Sequence, residues 1–348
     1  MNSSRPRGRR RRDRPAASTT PHDALFKATF SRVEHAAAIL REALPPGIVE
    51  RLDFTTLTHC SGSFVDRALT ARHTDLLFSA KLSGRAAFLY VLFEHQSGVD
   101  PLMAFRLLGY LVRIWEDHLG KHPEARRLPA ILPVVLHHSA TGWRAEVAFE
   151  ALLDLDPETL AAVSNHVPRF RFILDDISVE TDDALRNRAM TALGRLALWC
   201  LRHGREPTEL VRRLADWADL VREVRAAPDG AAALAAIWRY ILTVSEAMPP
   251  EELLAKMLDA VGEDAEEEIV TVADELHERG RLQGLAEGER KGLAEGQRRT
   301  LLRLLRTRFG ALPADVVARI RAADAAQLDL WTDRVLTAPT LAAVLLGA

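Results

Sequence analysis

Hydrophobic residues recur with two different periods in the first half of the chain. A helical spacing begins at Asp23, which we expect to be the N-cap, and Pro45-Pro46-Gly47 ends the helix. Strand-like runs follow at 52–58, 75–81 and 87–93, then an amphipathic helix over about 102–118 and a buried strand over 130–136. Pro133 predicts that this last strand lies at an edge or carries a bulge. The order is typical of an α/β fold.

The second half of the chain has helical spacing alone. Helical patterning begins near Thr181 and continues to about Met257, acidic residues cluster at 263–268, and the segment 301–348 is again helical in pattern. Between them, glycine recurs every four residues from Gly280 to Gly296. We therefore predict a disordered basic tail over 1–20, an α/β core over 21–180, a helical region over 181–262, an acidic and glycine-repeat helical connector over 263–299, and a small helical module over 300–348.

Composition and charge add little to this picture. With 348 residues, 48% hydrophobic and 27% charged, the chain is typical of a soluble globular protein. Its net charge of −2 means that a nucleic-acid site would have to be a local basic surface. Arginines crowd residues 5–14, which fits either an arm that holds DNA phosphates or a solvated tail.

The cysteine content and the length of the apolar runs indicate which cellular compartment suits the chain. The chain has two cysteines, Cys60 and Cys200, far apart and outside any CxxC spacing, so we expect neither a disulfide framework nor a thiolate zinc site. A reducing cytoplasm fits this usage. The apolar runs are shorter than the ~18 residues of a membrane span, so we expect no membrane partner.

Two carboxylates at the ends of two predicted strands are the main candidate for chemistry. Gly84 favours a tight hairpin between the runs at 75–81 and 87–93. If the turn centres between Gly84 and Arg85, Asp75 faces Glu94 across the hairpin, with Cβ atoms roughly 5 Å apart. Gln96 shares a strand face with Glu94. Such an oxygen-rich cluster suits Mg²⁺ or Mn²⁺, which would assist phosphodiester hydrolysis.

Each of these residues also has an ordinary structural explanation. Asp75 at a strand start is also typical of a turn residue, and Glu94 at the end of an apolar run also marks a strand that reaches solvent. A register slip of one residue would separate the two carboxylates. Spacing alone therefore leaves the catalytic and the structural interpretations open.

Several motifs in order resemble the recombination-promoting nuclease and transposase family. They cover about residues 21–180 and read His22-Asp23-Ala24-Leu25-Phe26-Lys27, Ser63-Phe64-Val65-Asp66 with Asp75-Leu76-Leu77-Phe78, Leu92-Phe93-Glu94-His95-Gln96-Ser97, Met103 to Tyr110, and Leu128-Pro129 to His137-His138. The resemblance implies a restriction-endonuclease-like core, a mixed sheet flanked by helices, and metal-dependent cleavage of DNA. It implies Asp75 as the first metal carboxylate, Glu94 as the second, and Gln96 where the wider PD-(D/E)xK superfamily has lysine.

Three cations are candidates for contact with DNA. His22 could touch phosphate or metal, although a histidine before a helix is also typical of a surface residue or a cap. Lys27 and Arg106 lie on predicted helices beside the sheet and could contact phosphate or simply be solvated. His137 and His138 are adjacent on a strand and point opposite ways, so they are a poor pair of ligands for one metal.

The glycine repeat and the departure at Gln96 leave rival functions open. A stripe of glycines on a helix allows close approach of another helix, which predicts a homo-oligomer, whereas a frayed linker is the alternative. A protein of this fold that has lost catalysis but still binds DNA or oligomerises is the rival to an active nuclease. RNA is a further candidate substrate, because a phosphodiester site need not read the sugar.

Overall fold

One mixed five-stranded sheet forms the centre of the first half of the chain. The computed structural model describes residues 20–60, 74–94 and 99–346. The strands are β1 (Leu52–His59), β2 (Thr74–Leu82), β3 (Arg85–Glu94), β4 (Ala130–His137) and β5 (Ile173–Asp176), and they lie side by side in that order. β1, β2 and β3 pair antiparallel, whereas β3, β4 and β5 pair parallel. The sheet, with its flanking helices and a helical C-terminal half, confirms the predicted fold class.

Two helices replace the single helix predicted at the start of the fold. The helices of this half are α1 (Pro21–Phe30), α2 (Val33–Ala43), α3 (Pro46–Val49), α4 (Met103–Lys121) and α5 (Pro157–Val163). Thr20, and not Asp23, is the N-cap of α1: its hydroxyl accepts the Asp23 amide at 3.2 Å, and the Asp23 carboxylate accepts the Thr20 amide at 3.2 Å. This reciprocal capping box explains why the helix begins earlier. Arg32 has extended backbone angles and separates α1 from α2.

The two faces of the sheet pack against different helices. On one side, here called the α4 face, Leu77, Tyr90 and Leu92 pack in one buried cluster with residues of α4 such as Leu107. On the other side, the α1 face, the ring of Phe26 stacks on Phe93 with centroids 4.9 Å apart. Because β-strand side chains alternate, even-numbered residues of β3 lie on the α4 face and odd-numbered ones on the α1 face. Each such buried side chain stabilises the fold by roughly 1.5–3 kcal/mol.

Pro133 lies within β4, which is second from the edge of the sheet. β5 pairs with β4 only from Val134 onward, while Pro133 pairs with Tyr90 of β3. The proline, which lacks a backbone donor, therefore falls where the ladder to β5 has not yet begun. The sequence pattern overlooked β5, which is only four residues long.

Helices follow the sheet, as the sequence predicted. They are α6 (Asp182–Asn187), α7 (Ala192–His203), α8 (Pro207–Arg212), α9 (Ala218–Ala226), α10 (Gly230–Val244) and α11 (Pro250–Val261). α1 packs against both α7 and α10. Trp199 and Trp217 stack in the core of this region with centroids 5.0 Å apart. The helical region thus extends the core on the α1 face of the sheet.

The chain divides into two compact units within its longest helix. The first unit ends at Val272 and the second begins at Ala273, inside α12 (Glu266–Phe309), which is followed by α13 (Ala314–Ala322), α14 (Ala325–Val335) and α15 (Leu341–Val344). The second unit has its own core, formed around Leu301, Leu305 and Trp331. All five repeat glycines are helical, which disfavours a frayed linker. Among the described residues no helix is both long and apolar enough to cross a membrane.

Candidate functional site

The β2–β3 hairpin turns at a different place from the one the sequence suggested. Ser83 and Gly84 occupy the turn, with positive φ values of 48° and 77°, and Leu82 pairs with Arg85. Two central residues with positive φ are the requirement of a type I′ turn, whose twist matches that of the strands. The predicted centre between Gly84 and Arg85 is therefore wrong by one residue, which moves the cross-strand register by two.

The corrected register places the two candidate carboxylates diagonally. Asp75 pairs with Leu92, and not with Glu94 as predicted. Because side chains alternate with a period of two, a shift of two residues leaves both carboxylates on the α4 face. Diagonal neighbours on adjacent strands lie roughly 7–8 Å apart, whereas the Cβ atoms of a directly opposed pair lie roughly 5 Å apart. The structure thus places Asp75 and Glu94 on one face, without the direct opposition that the sequence predicted.

Tyr90 connects Asp75 to the core of the α4 face. Its hydroxyl donates a hydrogen bond to Oδ2 of Asp75 at 3.1 Å, and its ring lies 5.4 Å from that of Tyr110. Burial, followed by the negative charge of Asp75, raises the pKa of Tyr90 well above its usual range. Tyr90 is therefore a neutral donor at physiological pH, and it fixes one oxygen of a partly exposed carboxylate.

Arg106, on the first turn of α4, reaches the carboxylate at the end of β3. Its Nη1 lies 2.5 Å from Oδ2 of Asp100 and 3.9 Å from Oε2 of Glu94, whose side chain is 1% exposed. Burial lowers the pKa of Arg106, but hydrogen bonds with Asp100 and Tyr110 outweigh it, so the net shift is upward. A permanently charged guanidinium thus partly neutralises a buried carboxylate.

A row of polar residues continues from Glu94 across the next two strands. Glu94 pairs with His137, and His137 pairs with Asp176, so the ends of β3, β4 and β5 carry this row. The His137 Nε2 is 2.9 Å from the Ser139 hydroxyl, and burial lowers the pKa of the ring. The Asp176 Oδ2 accepts the backbone amide of Trp143 at 2.6 Å.

Sequence reasoning missed Asp176 as a member of this region. The signal that could have found it is the acidic end of the short apolar run Phe172-Ile173-Leu174, since the ends of neighbouring parallel strands meet at one edge of a sheet.

The other candidates lie elsewhere or beyond the described residues. His22 and Lys27 lie on α1, on the opposite side of the sheet from Arg106. The Nδ1 of His22 is 2.8 Å from the Tyr240 hydroxyl, and Lys27 is partly buried. Gln96, the motif over 63–66 and the basic tail over 1–19 fall outside the described residues. Of the three suggested DNA contacts, Arg106 is therefore the one shown beside a candidate carboxylate, Glu94.

The donor chemistry on the α4 face fits a hard cation. Carboxylate oxygens are the protein ligands that Mg²⁺ and Mn²⁺ favour, and Mg²⁺ is usually held by one or two carboxylates with water and substrate phosphate completing the shell. Within residues 20–60, 74–94 and 99–346, no group of three or more histidine, cysteine, aspartate and glutamate side chains is spaced to hold a metal. A site built on Asp75 and Glu94 would therefore rely on further ligands from water, substrate or the undescribed segments.

Comparisons with known proteins show that the chain is similar to a transposase family and to proteins named as nucleases. A family model described as "Putative transposase, YhgA-like" matches residues 20–230. The protein named "Recombination-promoting nuclease RpnD" of Escherichia coli O157:H7 is 30% identical over 267 residues, which are 75% of this chain and 95% of that protein. "Recombination-promoting nuclease RpnC" of Escherichia coli K12 is 33% identical over 179 residues, 51% of this chain and 57% of that protein.

Some relatives carry a different description. The protein named "Inactive recombination-promoting nuclease-like protein RpnE", also from Escherichia coli K12, is 26% identical over 276 residues, 78% of this chain and 87% of that protein. No solved structure matches the chain. Similarity to these proteins therefore leaves both an active and an inactive nuclease open for this chain.

Proposed function

Because this chain belongs to the family described as "Putative transposase, YhgA-like", we propose that it is a metal-dependent DNA endonuclease with a role in recombination or mobile elements. The observation that carries the proposal is the placement of Asp75 and Glu94 on one face of two adjacent strands, beside Arg106. The names of its relatives, which describe recombination-promoting nucleases, support the same conclusion. The core would then be of the PD-(D/E)xK type.

Asp75 and Glu94 would hold Mg²⁺ or Mn²⁺ at the end of β3. A bound divalent cation supplies a water nucleophile of lowered pKa and stabilises negative charge on the phosphodiester oxygens. Tyr90 holds one oxygen of Asp75 in place through its 3.1 Å hydrogen bond, so the other oxygen keeps a fixed direction. Arg106 limits the repulsion that two nearby carboxylates would otherwise exert on each other. Gln96 would orient water through its amide without adding charge.

A rival proposal is a DNA-binding or oligomerising protein of the same fold that no longer catalyses hydrolysis. A relative named as inactive supports it, and so does glutamine at position 96, because glutamine supplies no positive charge to the transition state. The presence of both Asp75 and Glu94 favours the active enzyme. RNA is the alternative substrate that the carboxylates alone do not distinguish from DNA.

Supercoiled plasmid tests the proposal directly. We expect nicking with Mg²⁺ or Mn²⁺ and none with EDTA. Since changing residues that only orient metal ligands costs 10–100-fold, Asp75→Asn and Glu94→Gln should each reduce nicking by roughly a hundredfold or more. Asp117→Asn, a surface carboxylate on α4 paired with Lys121, is the matched control and should keep full activity.

Two outcomes would decide against the enzyme as proposed. Wild-type protein that binds plasmid but does not nick it with either metal would favour the rival. Variants at Asp75 and Glu94 that keep full activity at limiting Mg²⁺ would remove these carboxylates from the site. An RNA of the same sequence, assayed in parallel, separates the two substrates.

The glycine-repeat part of α12 is proposed as a surface for self-association. The side chains of Leu282, Leu285 and Leu293 are 51%, 54% and 68% exposed, and their helical spacing places them within about 80° of one another around the axis. Acidic residues begin the helix and basic residues end it, so an antiparallel pair of copies would bring opposite charges together. A homo-oligomer would cover the leucines.

The compartment that suits this function is the cytoplasm. Cys60 and Cys200 are free thiols within the described residues, and Cys200 is fully buried, which raises its pKa well above the usual range and makes it unreactive. Reduced cysteines are the rule in a reducing compartment where the protein would meet DNA. Detection of the tagged protein in the soluble cytoplasmic fraction checks this point.

A further inference from the structure

The outward side of α4 carries apolar residues that stay exposed in the described chain. Phe105, Val112 and Leu119 follow one another at intervals of seven residues, and they are 60%, 42% and 40% exposed. Two turns of an α-helix contain about seven residues, so the three side chains form a line along the helix. The opposite side of α4 packs on the sheet through residues such as Leu107. The helix is therefore apolar on its outward side as well as on its inward side.

Two leucines extend this line at its ends. Leu102, which precedes α4, is 53% exposed, and Leu128, in the loop after the helix, is 49% exposed. The indole of Trp115 donates a hydrogen bond to the carbonyl oxygen of Pro129 at 2.9 Å, which holds that loop against α4. We call the surface formed by the exposed apolar residues the α4 stripe; its members are Leu102, Phe105, Val112, Leu119 and Leu128.

The area of the α4 stripe matches one side of a protein–protein interface. The exposed parts of its residues amount to roughly 400 Å², the size of patch that often marks an interaction site. A standard interface buries about 800 Å² per partner, and somewhat more than half of that area is apolar. The stripe would therefore supply the apolar share of such an interface, with polar residues around it as the rim.

Gly109 indicates that the partner surface is a helix. The residue is exposed in the middle of α4, and a Cβ atom there would meet no described atom within 4 Å. The described part of the chain therefore gives no reason for glycine here, although glycine costs a helix about 1 kcal/mol against alanine. The missing side chain allows another backbone to approach α4 closely.

The α4 stripe is complementary to itself when two helices run antiparallel. Val112 lies midway between Phe105 and Leu119 in the sequence. In a twofold-symmetric pair, a residue that contacts a second residue of the partner is matched by the reverse contact. Val112 would then face its own counterpart, while Phe105 of each copy would meet Leu119 of the other.

Two charged residues beside the stripe fit the same pairing. Arg113 is partly buried and Glu116 is exposed, and across the described ranges no ion pair involves either of them. Helical side chains lean toward the N-terminus of their helix. Because two antiparallel helices point in opposite directions, Arg113 of one copy and Glu116 of the other lean toward each other, and the contact occurs twice. The charges thus match those of a second copy of this chain.

We propose that two copies of the chain pair through the α4 stripe, with their α4 helices antiparallel about a twofold axis near Val112. The apolar residues provide the affinity, and the pairs of Arg113 with Glu116 fix the direction of the helices. This interface lies in the first unit, whereas the exposed leucines of α12 lie in the second. The two surfaces are therefore open to separate tests.

Cross-linking of the full chain at the twofold axis tests the proposal. In a Cys60→Ser background, a short bismaleimide should link Val112→Cys into a covalent dimer, because each thiol faces its own counterpart. Cys200 is buried and takes no part. Glu124→Cys, at an exposed position past the end of α4, is the matched control and should stay monomeric on a denaturing gel. Equal cross-linking at both positions, or none at Val112, would overturn the inference.

Exchange of the two charges tests the direction of the helices. Arg113→Glu and Glu116→Arg should each raise the dimer Kd about tenfold, because like charges then face each other. A mixture of the two variants should associate with a Kd close to that of wild type, since each copy offers the charge that the other lacks. Glu124→Arg is the matched charge reversal away from the stripe and should leave the Kd unchanged.

Sedimentation velocity measures these constants in the Gly284→Leu, Gly288→Leu background, which weakens the α12 surface. A mixture that associates no better than either variant alone would overturn the antiparallel pairing. If the charge reversals change binding of a labelled DNA duplex and leave association unchanged, this face contacts nucleic acid and the inference is wrong. Circular dichroism verifies that each variant is folded.

Discussion

Acidic residues at the end of the sheet meet different partners on its two faces. On the α1 face, Asp175 of β5 is 8% exposed, and both of its oxygens accept hydrogen bonds from Arg188, at 2.6 and 2.9 Å. On the α4 face, Glu94 is 1% exposed, and the Arg106 guanidinium lies 3.9 Å from it. Adjacent Asp176 accepts two backbone amides. The arginine contacts of the two buried carboxylates therefore differ: Arg188 makes two hydrogen bonds to Asp175, whereas Arg106 lies 3.9 Å from Glu94.

Asp175 is paired in a way that stabilises the fold, whereas Asp75 and Glu94 are the carboxylates of the proposed metal site. The pair of Asp175 and Arg188 is extended by Glu180, and these hydrogen bonds raise the pKa of Arg188 although burial opposes the shift. A carboxylate with a bidentate arginine has little left to offer a metal ion. Asp75 accepts a hydrogen bond from the Tyr90 hydroxyl at 3.1 Å, and its side chain is partly exposed to solvent.

The largest expected effect is on stability, from Arg188→Ala. Removing the arginine leaves Asp175 buried and uncompensated, so we expect the free energy of unfolding to fall by about 3–5 kcal/mol. Urea denaturation of the purified variant measures this loss, and Arg212→Ala, at an exposed ion pair, should keep the wild-type midpoint. Nicking per folded molecule should be unchanged. A variant as stable as wild type would mean that the two faces do not differ as described.

Gln96, which lies outside the described residues, offers a sharper test of the proposed site. We expect Gln96→Lys to nick at or above the wild-type rate at saturating Mg²⁺, because lysine adds positive charge near the developing negative charge. Gln96→Ala should be slower by roughly ten- to a hundredfold, the scale for losing one positioned group. Equal rates for wild type and Gln96→Ala throughout a Mg²⁺ titration would leave glutamine without a role.

A smaller and more specific effect is expected from Tyr90→Phe. Loss of the hydroxyl removes a hydrogen bond that orients the Asp75 carboxylate, so the Mg²⁺ concentration for half-maximal nicking should rise about tenfold, the lower end for groups that orient metal ligands. The rate at saturating Mg²⁺ should stay close to wild type, which a purely structural role would not produce. A fall in the maximal rate with an unchanged Mg²⁺ requirement would contradict the positioning role.

The smallest effect on either face is expected from the double variant Gly284→Leu, Gly288→Leu. These glycines lie in the second unit, so nicking under limiting Mg²⁺ should not change. Leucine favours helix over glycine by up to about 1 kcal/mol per residue, so helicity should rise while sedimentation velocity shows weaker self-association. The matched alanine pair should raise helicity and keep association. A wild-type monomer at every concentration tested would remove the proposed surface.

The strands were predictable from sequence because their apolar runs are bounded by polar and turn residues. The register was not, because it depended on a turn that holds Ser83 at positive φ, a conformation that glycine but rarely serine adopts. That error also hid the bond between Tyr90 and Asp75, since the predicted register placed Tyr90 opposite Ser79, two residues farther along β2. The corrected register places it opposite Leu77 and within reach of Asp75.

Contacts between residues far apart in the sequence could not be predicted from the hydrophobic pattern. The proximity of His22 to Gly204 joins residues about half the chain apart, and no periodicity in either segment predicts it. The bidentate bond of Arg188 to Asp175 depends likewise on where the chain returns after β5. Local motifs therefore indicated which carboxylates were candidates. The residues that contact these carboxylates could be identified only from the folded structure.

The two-residue turn also has a consequence for how the protein folds. Asp75 and Glu94 are separated by fewer than twenty residues, and the antiparallel ladder between them closes through Ser83 and Gly84 alone. Hairpins of this kind form in about 1–10 μs. The parallel pairing of β3 with β4 joins strands that are separated in sequence by the α4 segment, so its contacts have a larger sequence separation than those of the hairpin. Contacts with a larger sequence separation form more slowly. We expect the two carboxylates to acquire their common face early, before His137 and the rest of the polar row join them.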